Sequence, residues 1–190
     1  GLAAALTAIW LFPRAFPTIA LENRLTAATA RARADSFFAA HDLAPPSARR
    51  AVRFRADDEL LTYVDLAAGG PDSVNAIIRG RDAALFTWSV RAFTPNDVHE
   101  ASVDLAPDGR VIGFRRRLAE ADKRPDVGAD SAGSLARMVL TAWIGESAGR
   151  WRVAATSYVT RKVSDRVDRT VTFERTDRRV GEAPFRLDVV

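Results

Sequence analysis

The segment that decides the fold is residues 84–118, which read ALFTWSVRAFTPNDVHEASVDLAPDGRVIGFRRRL. Apolar residues alternate with polar ones in three successive stretches, at positions 86–92, 101–105 and 112–118. A period of two predicts β-strands that bury one face. The turn sequence APDG at positions 106–109 is typical of a tight hairpin connection. These residues therefore predict an antiparallel meander with a hairpin turn at Asp108 and Gly109.

Helical periodicity appears on both sides of this meander. The first predicted helix, near residues 22–42, has an apolar face made of Leu21, Leu25, Ala28 and Ala32. The second, near residues 131–146, has Asp130 or Ser131 as its N-cap and an apolar stripe of Leu135, Met138, Val139 and Ala142. The remaining predicted elements are a strand at 52–55, short helices at 57–67 and 71–79, and strands at 151–155, 167–173 and 185–189.

This order of elements predicts an α+β fold, in which helices pack on antiparallel β-sheet as two helix-plus-meander units. We assign residues 1–20 to the end of a membrane anchor and a linker, residues 21–125 to the first unit, and residues 126–190 to the second. The alternation of the last strand stops abruptly at Val190, so the second unit is expected to be truncated there.

The anchor prediction rests on residues 1–12, which read GLAAALTAIWLF and carry no charge. They are followed by Pro13 and Arg14, which favour the end of a helix and a return to water. Since a helix needs about 20 residues to cross a bilayer, we expect only the last turns of a transmembrane helix here. A signal-peptide core and an ordinary buried helix are the alternatives.

Composition excludes several classes of chemistry. The chain has no cysteine, which rules out a disulfide framework, a thiol nucleophile and a cysteine-ligated metal. Arginine supplies nearly all of the 28 basic residues, but these are not clustered in one segment and the net charge is only +4. Nucleic acid is therefore not expected as a partner.

The candidate catalytic and metal-binding residues are few. His41 is expected at the end of the first helix, and His99, between acidic neighbours, is expected to be solvated. The acidic run at 57–59 is interpreted as a helix start that complements the helix dipole. No glycine-rich phosphate loop is present. The sequence thus predicts no catalytic residue, no cofactor-binding residue and no metal ligand.

Several segments together carry a resemblance to a known family. They are ENRLTAATARARADSFFAAHDL, VRFRADDELLTYVDL, FTWSVRAF, SAGSLARMVLTAWI and DRTVTFERTD, and they occur in this order along the chain. The chain resembles the extracytoplasmic N-terminal region of bacterial CPBP family proteins, which are type II CAAX-protease-like intramembrane endopeptidases. Their soluble region is similar to PepSY and cystatin-like modules, in which a helix lies across an antiparallel sheet.

The resemblance implies a non-catalytic accessory domain on the extracytoplasmic side of the cell membrane, which presents substrate to the endopeptidase or regulates access to it. Phe37 and His41 spell the family's F-x-x-x-H pattern, but they lie on a charged helix without paired glutamates, so no catalytic residue is transferred. The active site would then lie beyond Val190. The alternatives are a stand-alone, membrane-anchored PepSY-like module that binds or inhibits a peptide or protein partner, and a soluble enzyme.

Overall fold

The structure is a computed structural model of the 190-residue chain, and it describes residues 4–7, 25–67, 69–80 and 85–190. The chain divides into two compact units, Gly1–Arg116 and Arg117–Val190. The division falls before the boundary that we placed between residues 125 and 126. The sheets are antiparallel, with four strands in the first unit and three in the second, and helices accompany both. The predicted α+β class is confirmed.

Among its described residues from 25 onward, the first unit contains three helices and a four-stranded sheet. Its elements are α1 (Ala27–Ala40), β1 (Arg49–Ala56), α2 (Asp58–Ala67), α3 (Pro71–Gly80), β2 (Phe86–Phe93), β3 (Glu100–Leu105) and β4 (Val111–Arg117). The strand order is β1-β2-β3-β4, so the sequence of strands is also their order in space. Gly109, with a φ of +90°, lies in the turn between β3 and β4, where the hairpin was predicted.

Helix α1 packs on this sheet with a different face from the one predicted. Its buried residues are Ala30, Ala34, Phe37 and Phe38, whereas Ala28 and Ala32 are exposed. The physical reason is area, since two phenylalanine rings remove far more apolar surface from water than two alanines do. Leu25 is buried as expected, and Leu21 lies outside the described residues.

Two aromatic residues of the meander are less buried than the alternation predicts. Trp88 on β2 and Phe114 on β4 are both half-buried, and β3 lies between their strands. The Trp88 ring lies 4.9 Å from that of Phe54, and the Phe114 ring 5.6 Å from that of Phe37. Both rings therefore contribute to packing from the margin of the core.

The second unit is a helix on a three-stranded sheet. Its elements are α4 (Gly128–Met138), a π-helical turn (Val139–Trp143), a short 3-10 turn (Ala148–Arg150), β5 (Trp151–Thr160), β6 (Val167–Val180) and β7 (Ala183–Val189). The strand order is β5-β6-β7, and both pairings are antiparallel. A β-bulge interrupts the pairing of β5 with β6 between Val153 and Ala155.

Helix α4 turns its small residues to the sheet. Ala132, Ala136 and Leu140 form one buried cluster with Trp151, Val171 and Phe173. The predicted stripe is wrong at Leu135 and Met138, which are 46% and 47% exposed, and at Ala142, which is also exposed. Small side chains allow a helix to approach the sheet closely, so the larger ones are left on its flank. The N-cap is Val127, without a side-chain bond, while Asp130 and Ser131 lie inside the helix.

No helix among the described residues is both long enough and apolar enough to cross a membrane. The predicted anchor and linker occupy residues 1–20, of which the structure describes only 4–7. The anchor prediction thus falls on residues that lie almost wholly outside the described ones.

Candidate functional site

The two histidines occupy the kinds of position that the sequence predicts. His41 is the C-cap of α1, where its backbone N–H donates to the carbonyl oxygen of Phe37 at 3.2 Å. His99 has its ring Nδ1 2.8 Å from a carboxylate oxygen of Asp97, and its side chain is 50% exposed. The backbone N–H of His99, followed by its ring, lowers the pKa of Asp97. These contacts account for both histidines as local structural residues.

The acidic run at 57–59 begins helix α2. A carboxylate oxygen of Asp57 accepts a hydrogen bond from the backbone N–H of Leu60 at 3.0 Å, and Asp58 and Glu59 lie exposed in the first turn. Carboxylates in this position complement the positive end of the helix dipole. Across the described part of the chain, no three histidine, aspartate or glutamate side chains are grouped to hold a metal ion.

The edges of the two sheets differ in a way that points to a binding surface. An unpaired edge offers a row of backbone N–H and C=O groups to any other strand, and natural edges are usually protected by charge or proline. Three of the four edge strands have such protection, namely arginines on β1 at 49, 50, 53 and 55, arginines on β4 at 115–117, and Pro184, Arg186 and Asp188 on β7. The fourth edge strand of the described sheets, β5, has a single charged residue, Arg152 near its start, and no proline.

Strand β5 is ten residues long and nine of them are exposed, Trp151 being the buried one. Within the described residues it pairs with β6 alone. Its residues 153–160 contain no charge, no proline and no glycine. Val153 and Tyr158 are 41% and 67% exposed. An uncharged, exposed edge of this length is a template for strand addition.

A trough lies between β5 and helix α4, and we call it the β5 trough. It has a volume of about 670 Å³ and is lined by residues that include Asp130, Gly133, Arg137, Met138, Thr141 and Val153. This volume is within the usual range for ligand sites, about 300–1,000 Å³. The trough exists because α4 packs over β6 and β7 through small residues, and because Gly133 has no side chain to fill it.

The contacts of α4 define its direction relative to β5. Just before the helix, Asp126 accepts two hydrogen bonds from Arg169, at 2.9 and 2.8 Å, and Arg169 lies opposite Tyr158 in the sheet. Near its other end, Arg137 places its guanidinium 5.7 Å from the centre of the Phe173 ring. Phe173 lies opposite Val153. The start of α4 is therefore beside the end of β5, and the two run antiparallel.

The opposite face of this sheet carries a row of ion pairs that links all three strands. Glu174 on β6 accepts from Arg152 on β5 at 2.7 Å and from Arg186 on β7 at 2.9 Å. The pKa of Glu174 is lowered, mainly by its bond to Arg186. Cross-strand charge pairs of this kind stabilise the register of the sheet.

The sequence prediction assigned no site residue, and two signals of this surface were not recognised. The uncharged run at 153–160 is visible in the sequence, but such a run is equally typical of a central strand. The exposure of Met138 contradicts the predicted stripe, and it follows from the packing of Ala132 and Ala136. Comparison of the chain with models of protein families, with curated proteins and with solved structures gives no match.

Proposed function

We propose that this chain is a non-catalytic binding domain that captures an extended segment of another polypeptide as a fourth strand beside β5. The observation that carries the proposal is the contrast among the four edges of the described sheets, of which β5 is the one with eight successive exposed residues, 153–160, that include no charge and no proline. Main-chain hydrogen bonds supply affinity in such complexes, and pockets for alternate side chains supply selectivity.

The β5 trough favours the addition of a strand rather than a non-specific apolar contact. Side chains on one face of a strand recur every second residue, so an added strand directs half of its side chains to the side on which α4 lies. There they meet Met138 and Val153, whose surface is about half exposed. Burial of this apolar surface favours the complex by about 25 cal/mol per Å² removed from water.

Strand capture would be the molecular basis of the accessory function that the CPBP resemblance implies. In an extracytoplasmic domain at a membrane-embedded endopeptidase, the captured segment is a substrate that the domain presents or withholds. In a stand-alone PepSY-like module, the same surface holds a partner protein.

The test uses substitutions at Gly133 in the full 190-residue chain. A Cβ at this position meets no atom within 4 Å, so a side chain fits there without strain. Gly133→Leu is expected to fold, to gain about 1 kcal/mol from helix propensity and to fill the trough. Gly133→Ala is the matched control, because it gains the same propensity and leaves the trough open.

The probe is a display library of random twelve-residue peptides, selected against the wild-type chain. Selected peptides are expected to bind the Gly133→Ala variant as they bind wild type and to lose binding to Gly133→Leu. N-methylation of alternate amides in a selected peptide should also abolish binding, because it removes main-chain donors. Failure to select any peptide, or equal binding to both variants, would refute the proposal.

A further inference from the structure

The β5 trough carries opposite charges at its two ends. Asp130 and Arg137 both line it and are seven residues apart on α4, which separates them by about 10 Å along the helix axis. Neither side chain has an ion-pair partner in the described part of the chain, and the guanidinium of Arg137 lies 5.7 Å from the centre of the Phe173 ring. Both charges are thus available to a ligand in the trough.

The direction of an added strand follows from the sheet itself. Both pairings in the sheet are antiparallel, and antiparallel pairing is slightly more stable per residue than parallel pairing. A strand that adds antiparallel to β5 runs parallel to α4, because β5 and α4 run antiparallel to each other. Its N-terminal part then passes Asp130, and its C-terminal part passes Arg137.

We infer that the preferred partner of the β5 trough is an extended segment with a basic residue at position i, an apolar residue at i+2 and an acidic residue at i+4. This inference rests on the proposed strand addition. The three side chains share one face of a strand, and the outer two are about 13 Å apart. Long basic and acidic side chains are flexible enough to reach Asp130 and Arg137, which are about 10 Å apart along the helix axis. The central apolar residue lies over Gly133, midway between the two charges, where nothing stands within 4 Å of a Cβ position.

The test compares two peptides of identical composition, TVKTLTETV and TVETLTKTV, for binding to the full chain by isothermal titration calorimetry. The first peptide is expected to bind about tenfold more tightly, since two favourable ion pairs replace two repulsive ones. The difference should decrease as salt screens the charges, because the Debye length falls to about 3 Å at 1 M.

Two double variants keep this test specific. Asp130→Arg/Arg137→Asp should invert the preference, and Asp130→Asn/Arg137→Gln should bind both peptides equally, with melting midpoints measured to verify folding. Equal binding of both peptides to wild type, with both lost in Gly133→Leu, would refute the charge pattern and leave strand addition intact. If neither peptide bound wild type, or if binding survived in Gly133→Leu, strand addition at β5 would be refuted as well.

Discussion

Truncation of single apolar residues in α4 and in the π-helical turn that continues it distinguishes the packed face from the open one. Leu140 is completely buried against the core of the second unit, so Leu140→Ala removes packed atoms and leaves a cavity. Such changes cost about 2–5 kcal/mol. Leu135 and Met138 are 46% and 47% exposed, and truncation there opens a surface that water already reaches.

The expected cost at the two exposed positions follows from their burial. Full burial of a leucine or methionine side chain is worth about 1.5–3 kcal/mol, and about half of it is realised here. The higher helix propensity of alanine offsets a few tenths of a kcal/mol of this loss. We therefore expect Leu135→Ala and Met138→Ala each to lower the free energy of unfolding by about 1 kcal/mol or less.

Urea unfolding followed by far-UV circular dichroism measures all three changes on one scale. The free energy of unfolding should fall clearly for Leu140→Ala and only slightly for the other two variants, with similar m-values throughout. A loss at Leu135 or Met138 equal to that at Leu140 would mean that the stripe expected from the sequence is the buried one. The β5 trough would then be filled by the helix's own side chains.

Acidification should weaken the second unit. The pKa of Asp168 is lowered first by its bond to Arg166, and the pKa of Glu174 first by its bond to Arg186. Carboxylates with lowered folded-state pKa values contribute stability above their usual values of 3.8 and 4.5, and this stability is lost as the pH falls through the folded-state values. An Asp168→Asn/Glu174→Gln variant should therefore show a smaller loss of stability in an acid titration, and an unchanged acid titration would contradict these shifts. Gly109→Ala should cost about 1 kcal/mol in urea unfolding, because φ is +90° and the new Cβ would lie 2.8 Å from an atom of Arg33; a neutral effect would contradict this backbone geometry.

The strands and the hairpin were predictable because their signals are local. A strand has only two faces, so alternation determines which side chains of β2 and β3 are buried as soon as one face is covered. The hairpin turn similarly has a positive φ at Gly109, which glycine adopts without strain. These features need no knowledge of the rest of the fold.

The helix faces were not predictable in the same way. A helix can turn any side to the sheet, and an alanine-rich helix such as α1 has little difference in hydrophobicity between its sides. The choice between the stripe of Leu135 and the stripe of Ala132 depends on how closely the helix approaches β6, which is a tertiary property. The position of β5 at the edge of its sheet is also a tertiary property, because no single segment of the sequence determines the order of the strands.

Gly133 connects these observations. A glycine inside a helix costs about 1 kcal/mol relative to alanine, so its presence in α4 needs a reason. Local packing supplies none, because a Cβ there would meet no atom within 4 Å and Gly133 does not have a positive φ. The missing side chain leaves space in the β5 trough, beside the described edge strand whose exposed residues 153–160 carry no charge. A binding surface for an extended segment explains three features together: Gly133, the alanine face of α4 and the uncharged segment 153–160 of β5. Stability alone favours none of them.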